Sequence, residues 1–484
     1  MSPISDGRHA DWPSSPWISA DSQKKELTAL LDRAKALHLN AIVMHVRTAG
    51  DALYASPTVP WSAFLTGTSG RDPGYDPLAY AVAQAHARGL QLHAWFNPFR
   101  AMLPNFRGRA AANHVTRTHP EWIRRYGSQL WIDPGIPAAR QAIIDAIVDV
   151  VSRYDIDGVH LDDYFYPYLE SETITRRVHR RRVRIHRDIE FPDAKTFARY
   201  GAGWDDRAAW RRANVDDLIH TLYQSVKAAK PWVAVGISPF GIWRSGVPGG
   251  ITGLDAYSEI YADSRRWLRE GWLDYIAPQL YWSLDGAQSR FTVLDAWWHT
   301  QNPQSRHIWP GIATMNVPTG RWTADEIGAQ ITALRAESAA EHAQPGHIHF
   351  RIGSFDEMMF PTNWPALVYP TPAFVPAFPW LDARVPTAPT VVDLDSAFAL
   401  GCVTRHLAVT ASDTIPVAWW VVQRLTGDGM WRTTFLHVQP TVSPTIARDT
   451  LDIFDPALER RQRQRIWISA MSRTGIQSPQ VRVR

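Results

Sequence analysis

Cysteine is almost absent from this chain of 484 residues, which holds a single one, Cys402. A single cysteine excludes disulfides within the chain and metal sites built from several cysteines. The sequence has no run of about 18 or more apolar residues, so it predicts no membrane-spanning helix. Residues 1–9 have no apolar core of the kind that a secretion signal needs. As written, and if the start is correct, the sequence therefore predicts a cytoplasmic protein.

Charge of one sign is also scarce, because the formal net charge is only +4. Arginine supplies nearly all the positive charge, and the excess is too small and too scattered to predict nucleic-acid binding. One dense basic run, residues 176–187, is interpreted as a solvated insertion, with binding to an anionic polymer as the alternative. Tryptophan, in contrast, is abundant, at 23 residues. Many of these rings follow polar strand ends, which suits stacking on sugars, although tryptophan also fills large cores.

Helix and strand patterns alternate between about residues 24 and 355. The predicted strands are 41–47, 90–97, 156–162, 232–238, 274–281, 307–313 and 346–351. Repeated strand–helix units predict a parallel sheet, here a (β/α)8 TIM barrel of the α/β class. Because a closed barrel has eight strands, the first strand, which should precede the helix at residue 24, is predicted to be missing or truncated.

The pattern changes after about residue 360, where closely spaced prolines indicate an extended linker. Short alternating stretches then predict a β-sandwich, interpreted as fibronectin-III-like, in which no catalytic constellation is visible. The predicted domains are therefore a barrel over residues 1–365, a proline-rich linker over 366–385 and an accessory sandwich over 386–484.

The most informative segment is DGVHLDDYFYP, residues 157–167. A strand alternates its faces, so Val159 and Leu161 point one way while His160 and Asp162 point the other. An ionised aspartate at the end of the polar face needs a functional reason, because burying it unpaired is costly. In a parallel barrel the carboxyl ends of the strands form the active site. A carboxylate there, beside aromatic rings, favours a carbohydrate hydrolase, and an aspartate that only caps the following loop is the alternative.

The same alternation gives strand after strand one apolar and one polar face, and the polar faces are expected to converge at the barrel mouth. A polar core that serves only stability is the alternative, but it would be expensive to satisfy. Asp162 and Asp163 are the predicted catalytic residues. The predicted substrate-binding residues are Arg47, Asp51, His93, Asn97, Arg100, His160, Tyr164, Ser238, Arg244, Gln279, Tyr281 and Trp282. A glycosidase normally needs a second carboxylate. The candidates outside the pair are Asp51, Glu259, Asp263, Asp285 and Asp356.

Histidines on the polar faces raise the question of a metal site, because metal hydrolases on barrels use such sets. They are His45, His93, His160, His347 and His349. Three arginines expected at the same mouth, Arg47, Arg100 and Arg351, would repel a cation, so no metal and no cofactor are predicted. The sequence shows no glycine-rich phosphate loop and no serine nucleophile elbow.

Several long motifs follow one another in order: NAIVMHVR from Asn40, HAWFNP from His93, the segment 157–167, GISPFGIWR from Gly236 and PQLYW from Pro278. With these motifs, residues 11–365 resemble the bacterial glycosyl-hydrolase-like family ten. The resemblance implies a TIM barrel, glycan hydrolysis and export to the cell envelope, in the periplasm or outside the cell. It also implies peptidoglycan strands freed of their peptides as the substrate.

The chain departs from the family pattern in two respects. Family members usually open with an Arg-Gly-x-Trp-like first strand before the motif seen here as Asp11-Trp12-Pro13, and with an export signal. A start codon assigned too late would explain the absence of both. The segment 157–167 also resembles the strand of chitinase-like hydrolases. Their catalytic glutamate would fall on Tyr164, so their mechanism does not carry over.

The leading hypothesis is a metal-independent glycosidase that cleaves O-glycosidic bonds of a bacterial polysaccharide. The alternatives are a glycan-binding protein without catalysis and a metal-dependent deacetylase or amidohydrolase. The expected partner is the polysaccharide, with no nucleic acid and no membrane span, and the oligomeric state is not predicted.

Overall fold

The computed structural model describes residues 1, 11–104, 106, 108–178, 181–340, 344–355, 359–399, 402–412, 414–425, 429–438, 446–456 and 465–483. The chain divides into two compact units. The first unit comprises Met1–Thr28, Val43–Ala81 and His93–Pro361, and the second comprises Ala29–Ile42, Val82–Leu92 and Thr362–Arg484. The domain boundaries expected from the sequence stay a prediction.

The strands that precede the C-terminal region alternate with helices along the chain. In chain order, these strands are β1 Ala41–Arg47, β2 Gln91–Phe96, β3 Arg100–Met102, β4 Ile123–Tyr126, β5 Gln129–Ile132, β6 Gly158–Leu161, β7 Ser171–Val178, β8 Arg181–Asp188, β9 Ala234–Ile237, β10 Tyr275–Ile276, β11 His307–Ile308, β12 Gly311–Ile312 and β13 Ile348–His349. Each predicted strand contains at least one observed strand, although β10, β11 and β13 are shorter than their patterns suggest.

The helices agree with the apolar periodicity of the sequence. In chain order, they are α1 Ala20–Ala36, α2 Ala63–Thr66, α3 Pro77–His86, α4 Val115–Thr118, α5 Pro137–Arg153, α6 Ala194–Tyr200, α7 Arg207–Ala229, α8 Ala256–Glu259, α9 Ser264–Arg269, α10 Arg290–Thr300, α11 Ala324–Ala340 and α12 Trp364–Val368. Local chemistry sets several helix starts. Asp206 caps α7, because its carboxylate accepts from the backbone N–H groups of Ala208 at 2.9 Å and Ala209 at 3.1 Å. Proline is the first residue of α5, where its missing N–H is not needed.

The central sheet is parallel, as predicted. Its strand order is β1-β2-β6-β9-β10-β11, and every neighbouring pair from β2 to β11 is parallel. A second parallel pair, β12-β13, lies next along the chain, and Gln279 bridges to both Phe240 and Gly311. The carboxyl ends of all these strands therefore point in one direction.

The position beside β1 is taken by the backbone of Met1. The Met1 ammonium donates to the carbonyl of Val43 at 2.8 Å, and the Met1 carbonyl accepts from the N–H of His45 at 3.0 Å. Among the described residues, no strand precedes α1. Closure into an eight-stranded barrel therefore stays a prediction.

The alternation expected along β6 is confirmed, although both of its faces are buried. Val159 and Leu161 are fully buried, and His160 and Asp162 are buried on the other face. The interior face is filled by polar and aromatic side chains, which need space. A Cβ atom on Gly236 would lie 2.0 Å from the Tyr275 ring, so glycine is required there for the ring to occupy the interior.

Two insertions interrupt the strand–helix alternation. The described part of the long loop between residues 98 and 133 contains α4 and a small sheet of order β3-β5-β4. The described residues of the basic run, 176–178 and 181–187, lie in the antiparallel strands β7 and β8. The described side chains of residues 184–187 are exposed, which agrees with a solvated insertion.

The C-terminal strands, all in the second unit, form two antiparallel sheets. They are β14 Thr390–Ala399, β15 Cys402–Ser412, β16 Val417–Leu425, β17 Trp431–His437, β18 Ile446–Pro456, β19 Arg465–Ser472 and β20 Val481–Arg482. The sheet orders are β14-β15-β18 and β17-β16-β19-β20. Leu407 and Leu451 from one sheet share a buried cluster with Trp420 and Ile468 from the other. The fibronectin-III-like assignment stays a prediction.

A helix that crosses a bilayer has to be both long and apolar. Within the described ranges, none combines the length and the apolar character needed to cross a membrane.

Candidate active site at the carboxyl ends of the strands

The two predicted catalytic aspartates lie immediately after β6 and are both buried. Asp162 is 9% exposed and Asp163 is 2% exposed. One carboxylate oxygen of Asp162, Oδ1, accepts from the backbone N–H of Asp163 at 2.9 Å and from Nε2 of Gln279 at 3.3 Å. Gln279 is in turn fixed by a hydrogen bond from Nε2 to the carbonyl of Ser238 at 3.0 Å. The structure thus brings together residues that follow β6, β9 and β10, as the alternation predicts.

The two carboxyl groups differ in their affinity for a proton. Burial, followed by the negative charge of Asp162, raises the pKa of Asp163 well above its ordinary value. Burial also raises the pKa of Asp162, but hydrogen bonding from Asp163, the charge of Arg100 and the amide of Gln279 oppose this rise. Asp163 is therefore the member of the pair that keeps its proton to higher pH, and Asp162 is the member that ionises first. Neighbouring groups with divergent pKa values are typical of acid–base catalysis.

Aromatic side chains surround the pair. The hydroxyl of Tyr168 donates to Oδ2 of Asp163, and the Tyr168 ring meets the Tyr164 ring edge-on at 5.8 Å between centroids. Tyr164 also lies under the guanidinium of Arg100, which is 4.0 Å from the ring centroid. Burial and the charges of the two aspartates raise the pKa of Tyr281, so its hydroxyl stays protonated as a potential donor to a substrate. These rings can stack on a sugar, as the sequence suggested.

The ends of β1 and β2 supply a second group of polar side chains. The N–H of Asn97 donates to the carbonyl of Arg47 at 2.8 Å, and Nδ2 of Asn97 is 3.4 Å from the carbonyl of Thr48. The Thr48 hydroxyl donates to Oδ1 of Asp51 at 3.3 Å. Arg47 and Asn97 are buried, at 4% and 0% exposure. The predicted residues of this side are therefore neighbours.

Sequence reasoning missed two residues of the site, Tyr168 and His114. Tyr168 continues the every-second-residue spacing of Tyr164 and Tyr166, and that spacing was the available signal. Nδ1 of His114 accepts from the N–H of Thr116 at 3.2 Å, so the neutral ring carries its proton on Nε2. Burial lowers the pKa of His114, and the charge of Asp51 opposes this.

Two predicted binding histidines lie deeper along the strands than the aspartates. Nδ1 of His93 and Nδ1 of His160 are each 2.9 Å from the hydroxyl of Tyr275. Burial lowers the pKa of His93 to about 4 and, together with the charge of His93, lowers the pKa of His160 to about 3. Both rings are therefore neutral near pH 7 and are members of an interior network rather than of the mouth.

The histidines do not converge as a metal site would require. The His45 ring is stacked on Trp95 at 3.9 Å, and Nδ1 of His349 is 2.7 Å from the hydroxyl of Thr314. In the part of the chain that the structure describes, no three of the five histidines place ligand atoms around a common point. The donor set therefore does not favour the metal-hydrolase alternative.

We accordingly expect that chelators leave turnover unchanged. The physical reason is that Arg100, whose positive charge acts on the Asp162 carboxyl, would repel a cation there. The measurement is the rate of glycan cleavage before and after exhaustive EDTA treatment. Loss of turnover that Zn²⁺ restores would overturn this expectation and favour a metal-dependent hydrolase.

The remaining predicted binding residues have partners of their own. The Ser238 hydroxyl donates to the carbonyl of Ala277 at 3.0 Å. The Trp282 ring meets Phe240 edge-on. Arg244 is exposed, and its Nε is 4.0 Å from Asp255. The structure therefore does not bring Arg244 into the cluster around Asp162.

Arg351, expected at the mouth, is paired with Asp11, with 2.9 Å between Nη1 and Oδ1. Asp11 therefore offsets the positive charge that Arg351 was expected to contribute at the mouth.

Of the second-carboxylate candidates, Asp51 remains. Glu259 accepts from the N–H of Asp255 at 3.0 Å, and Asp263 caps α9 and accepts from Nε1 of Trp243 at 2.9 Å. Asp285 is exposed. Asp356 lies outside the described residues.

Comparison with known proteins decides the family. Residues 4–326 match the family described as glycosyl hydrolase-like 10. The chain belongs to this family. The resemblance inferred from the motifs is confirmed, and the matched range contains both aspartates and every predicted binding residue.

Named relatives support the same grouping. The chain is 38% identical over 393 residues to glycosyl hydrolase YngK of Bacillus subtilis (strain 168), which covers 78% of this chain and 73% of that protein. It is 37% identical over 328 residues to glycosyl hydrolase DigH of Escherichia coli (strain K12), which covers 63% of this chain and 71% of that protein.

Solved structures are more distant. The glycoside hydrolase domain of PgaB (BpsB) from Bordetella bronchiseptica has a TM-score of 0.44 at 16% identity, and the match covers 69% of this chain and 90% of that domain. α-L-Fucosidase isoenzyme 2 from Paenibacillus thiaminolyticus has a TM-score of 0.46 at 15% identity, over 75% of this chain and 48% of that enzyme.

Proposed function

We propose that the protein is a glycoside hydrolase that cleaves O-glycosidic bonds of a bacterial polysaccharide. The observation that carries the proposal is the buried pair Asp162 and Asp163 at the carboxyl end of a parallel strand, with divergent pKa values and tyrosine rings around it. Buried carboxyls whose pKa values differ can act as acid and base at one pH. Membership of the glycosyl hydrolase-like 10 family supports this function.

In the proposed mechanism, Asp162 is the carboxyl group that reaches the scissile bond, because it is the more exposed of the two. Asp163 holds a proton beside Asp162, and the Tyr168 hydroxyl donates a hydrogen bond to the Asp163 carboxyl group. The proton that Asp163 holds passes to Asp162 as Asp162 protonates the leaving oxygen, so Asp162 ends the step ionised, as it began, and Asp163 has lost its proton. Gln279 keeps the Asp162 carboxylate oriented.

Asp51 is the best-placed second carboxylate. It follows β1, and β1 is separated from β6 by β2 alone in the sheet order. Two strand spacings correspond to roughly 10 Å. Glycosidases place their two carboxyl groups about 5–10 Å apart on either side of the bond. The nearby Thr48 hydroxyl would orient Asp51 for this role.

We further propose peptide-free peptidoglycan strands as the substrate and the cell envelope as the location. Both follow from the family resemblance. We also propose that the C-terminal sheets are an accessory module, since the family match ends at residue 326, before the first of their strands.

The test is to incubate the protein with purified peptide-free glycan strands, chitin oligomers and plant glucans, and to identify the products by mass. New reducing ends support a glycosidase. Acetate release would instead support a deacetylase, and glycan that is retained but unchanged would support a binding protein. Cleavage of glucan but not of the muramic-acid polymer would refute the substrate while leaving the reaction class intact.

A further inference from the structure

Buried arginines in the first unit fall into two classes. Among its described residues, Arg47, Arg100, Arg140 and Arg211 are buried, each at 9% exposure or less. Arg140 and Arg211 are neutralised. Nη2 of Arg140 is 3.0 Å from Asp217, and Nη2 of Arg211 is 2.6 Å from Asp193. In these two pairs, a buried arginine with a structural role has a carboxylate partner.

Arg47 and Arg100 have no such carboxylate. Within the described ranges, neither guanidinium forms an ion pair, and Nε and Nη1 of Arg47 and Nε of Arg100 have no hydrogen-bond partner. Arg100 lies over the Tyr164 ring and interacts with its hydroxyl, but a neutral tyrosine does not offset the charge of the guanidinium. Burying a charge without an ion pair is costly, so a protein that retains two such arginines in neighbouring segments has a use for them.

The two arginines lie on adjoining parts of the site. Arg47 ends β1, and Arg100 begins β3, three residues beyond Asn97. The N–H of Asn97 bonds to the carbonyl of Arg47 at 2.8 Å, and the N–H of Gly50 bonds to the carbonyl of Ala101 at 3.1 Å, which ties the two segments together. The Oδ1 atom of Asn97 is also buried without a partner among the described residues. Unsatisfied donors and an unsatisfied acceptor thus occur in neighbouring segments, and the charge of Arg100 acts on the Asp162 carboxyl.

We propose that Arg47 and Arg100 form an anion subsite that binds a carboxylate carried by the sugar chain. The inference rests on the proposed function, since it places the subsite next to the reacting bond. Guanidinium groups bind carboxylates through paired, charge-assisted hydrogen bonds. A singly charged carboxylate suits the site better than a doubly charged phosphate, because Asp162 already contributes a negative charge there. Asn97 is then available to accept from a hydroxyl or amide N–H of the same sugar.

The subsite makes the enzyme selective for acidic glycans. A neutral sugar leaves both guanidinium groups buried and unpaired, which penalises its binding, whereas an acidic sugar supplies the missing partner. The carboxylate has two chemical sources, a lactyl ether on an amino sugar or the ring carboxylate of a uronic acid. Arg47 and Arg100 recognise the feature that both share.

The first experiment measures binding by calorimetry to the inactive Asp162→Asn variant. The probes are a tetrasaccharide of alternating N-acetylglucosamine and N-acetylmuramic acid, its methyl ester, chitotetraose and an oligogalacturonide of the same length. We expect the free acid to bind at least about tenfold more tightly than its ester and than chitotetraose. Equal affinity for acid and ester overturns the subsite. Tighter binding of the oligogalacturonide than of the muramic-acid tetrasaccharide supports the subsite and assigns the carboxylate to the ring.

The second experiment uses variants in the same background. Arg47→Gln and Arg100→Gln should each remove most of the discrimination between acid and ester, while Arg199→Gln, which changes an exposed arginine of α6, should leave it unchanged. Discrimination that survives both changes overturns the subsite. If the wild-type protein cleaves no glycan but still prefers the acid, the glycosidase proposal fails and the subsite stands.

Thermal unfolding separates a binding role from a structural one. Because Arg47 has no ion pair among the described residues, Arg47→Met should leave the ligand-free thermal transition unchanged or higher, whereas Arg211→Met should lower it by stranding Asp193. If Arg47→Met destabilises the protein as much as Arg211→Met does, Arg47 is a structural residue and the proposal is overturned.

Discussion

Replacing Asp162 by asparagine should abolish glycan hydrolysis while leaving the thermal transition nearly intact. The side chains are of equal size, and the asparagine oxygen can still accept from the N–H of Asp163. What the variant loses is the ionisable group closest to the cleft. General acid–base catalysis contributes about 10²–10⁴-fold, and removal of the charge adds to this, so we expect at least a thousandfold fall in kcat.

The measurement is the release of reducing ends, with unfolding followed on the same preparation. The control variant is Gln141→Glu, because Gln141 is an exposed residue of α5 and the change alters charge at the surface. Full activity of Asp162→Asn would show that Asp162 is not the reacting carboxyl and would direct attention to Asp163 and Asp51.

Replacing Asp163 by asparagine should have opposite effects on activity and on stability. The asparagine amide can occupy the place of the protonated carboxyl beside Asp162 and can still accept from Tyr168. The asparagine amide is not an acid at neutral pH and cannot supply a proton, so we expect kcat to fall by about 100-fold. The thermal transition at neutral pH should rise. In the wild type, unfolding lets Asp163 release its proton, which favours the unfolded state, and asparagine removes this effect.

The pH dependence of stability follows from the same pKa. The folded-state pKa of Asp163 lies well above its unfolded value. Its contribution to stability is therefore fully present below the unfolded pKa and is lost as pH rises through the folded pKa. The stability advantage of Asp163→Asn over the wild type should grow from about pH 4 upward. An advantage that is constant with pH, or a variant that is less stable at pH 7, would contradict the assignment of the raised pKa.

The fold and one face of the site could be read from local patterns. Strand alternation is a property of the backbone, so it correctly paired His160 with Asp162 and placed Asp162 at the strand end. The helix expected at residue 24 is likewise observed, within α1, because burial of one helical face leaves a periodic record in the sequence. These signals are local, and they are available without knowledge of the neighbours.

The partners of the charged residues could not be read in the same way. In the sequence, Arg100, Arg244 and Arg351 all lie at or shortly after the end of a predicted strand. In the structure, Arg351 pairs with Asp11, from the start of the chain, and Arg244 lies near Asp255. His114 lies in the long loop after β2, and no periodic pattern in the sequence predicts the course of that loop. Which side chain meets a given arginine is decided by tertiary packing, and strand alternation does not contain that information.

The most direct test of the central claim is the digestion of purified peptide-free glycan strands in water labelled with heavy oxygen. The account predicts that wild-type protein produces shorter strands whose new reducing ends each carry one labelled oxygen, and that Asp162→Asn produces none. Intact strands, or new chain ends without the label, would contradict the claim that the Asp162–Asp163 pair hydrolyses a glycosidic bond.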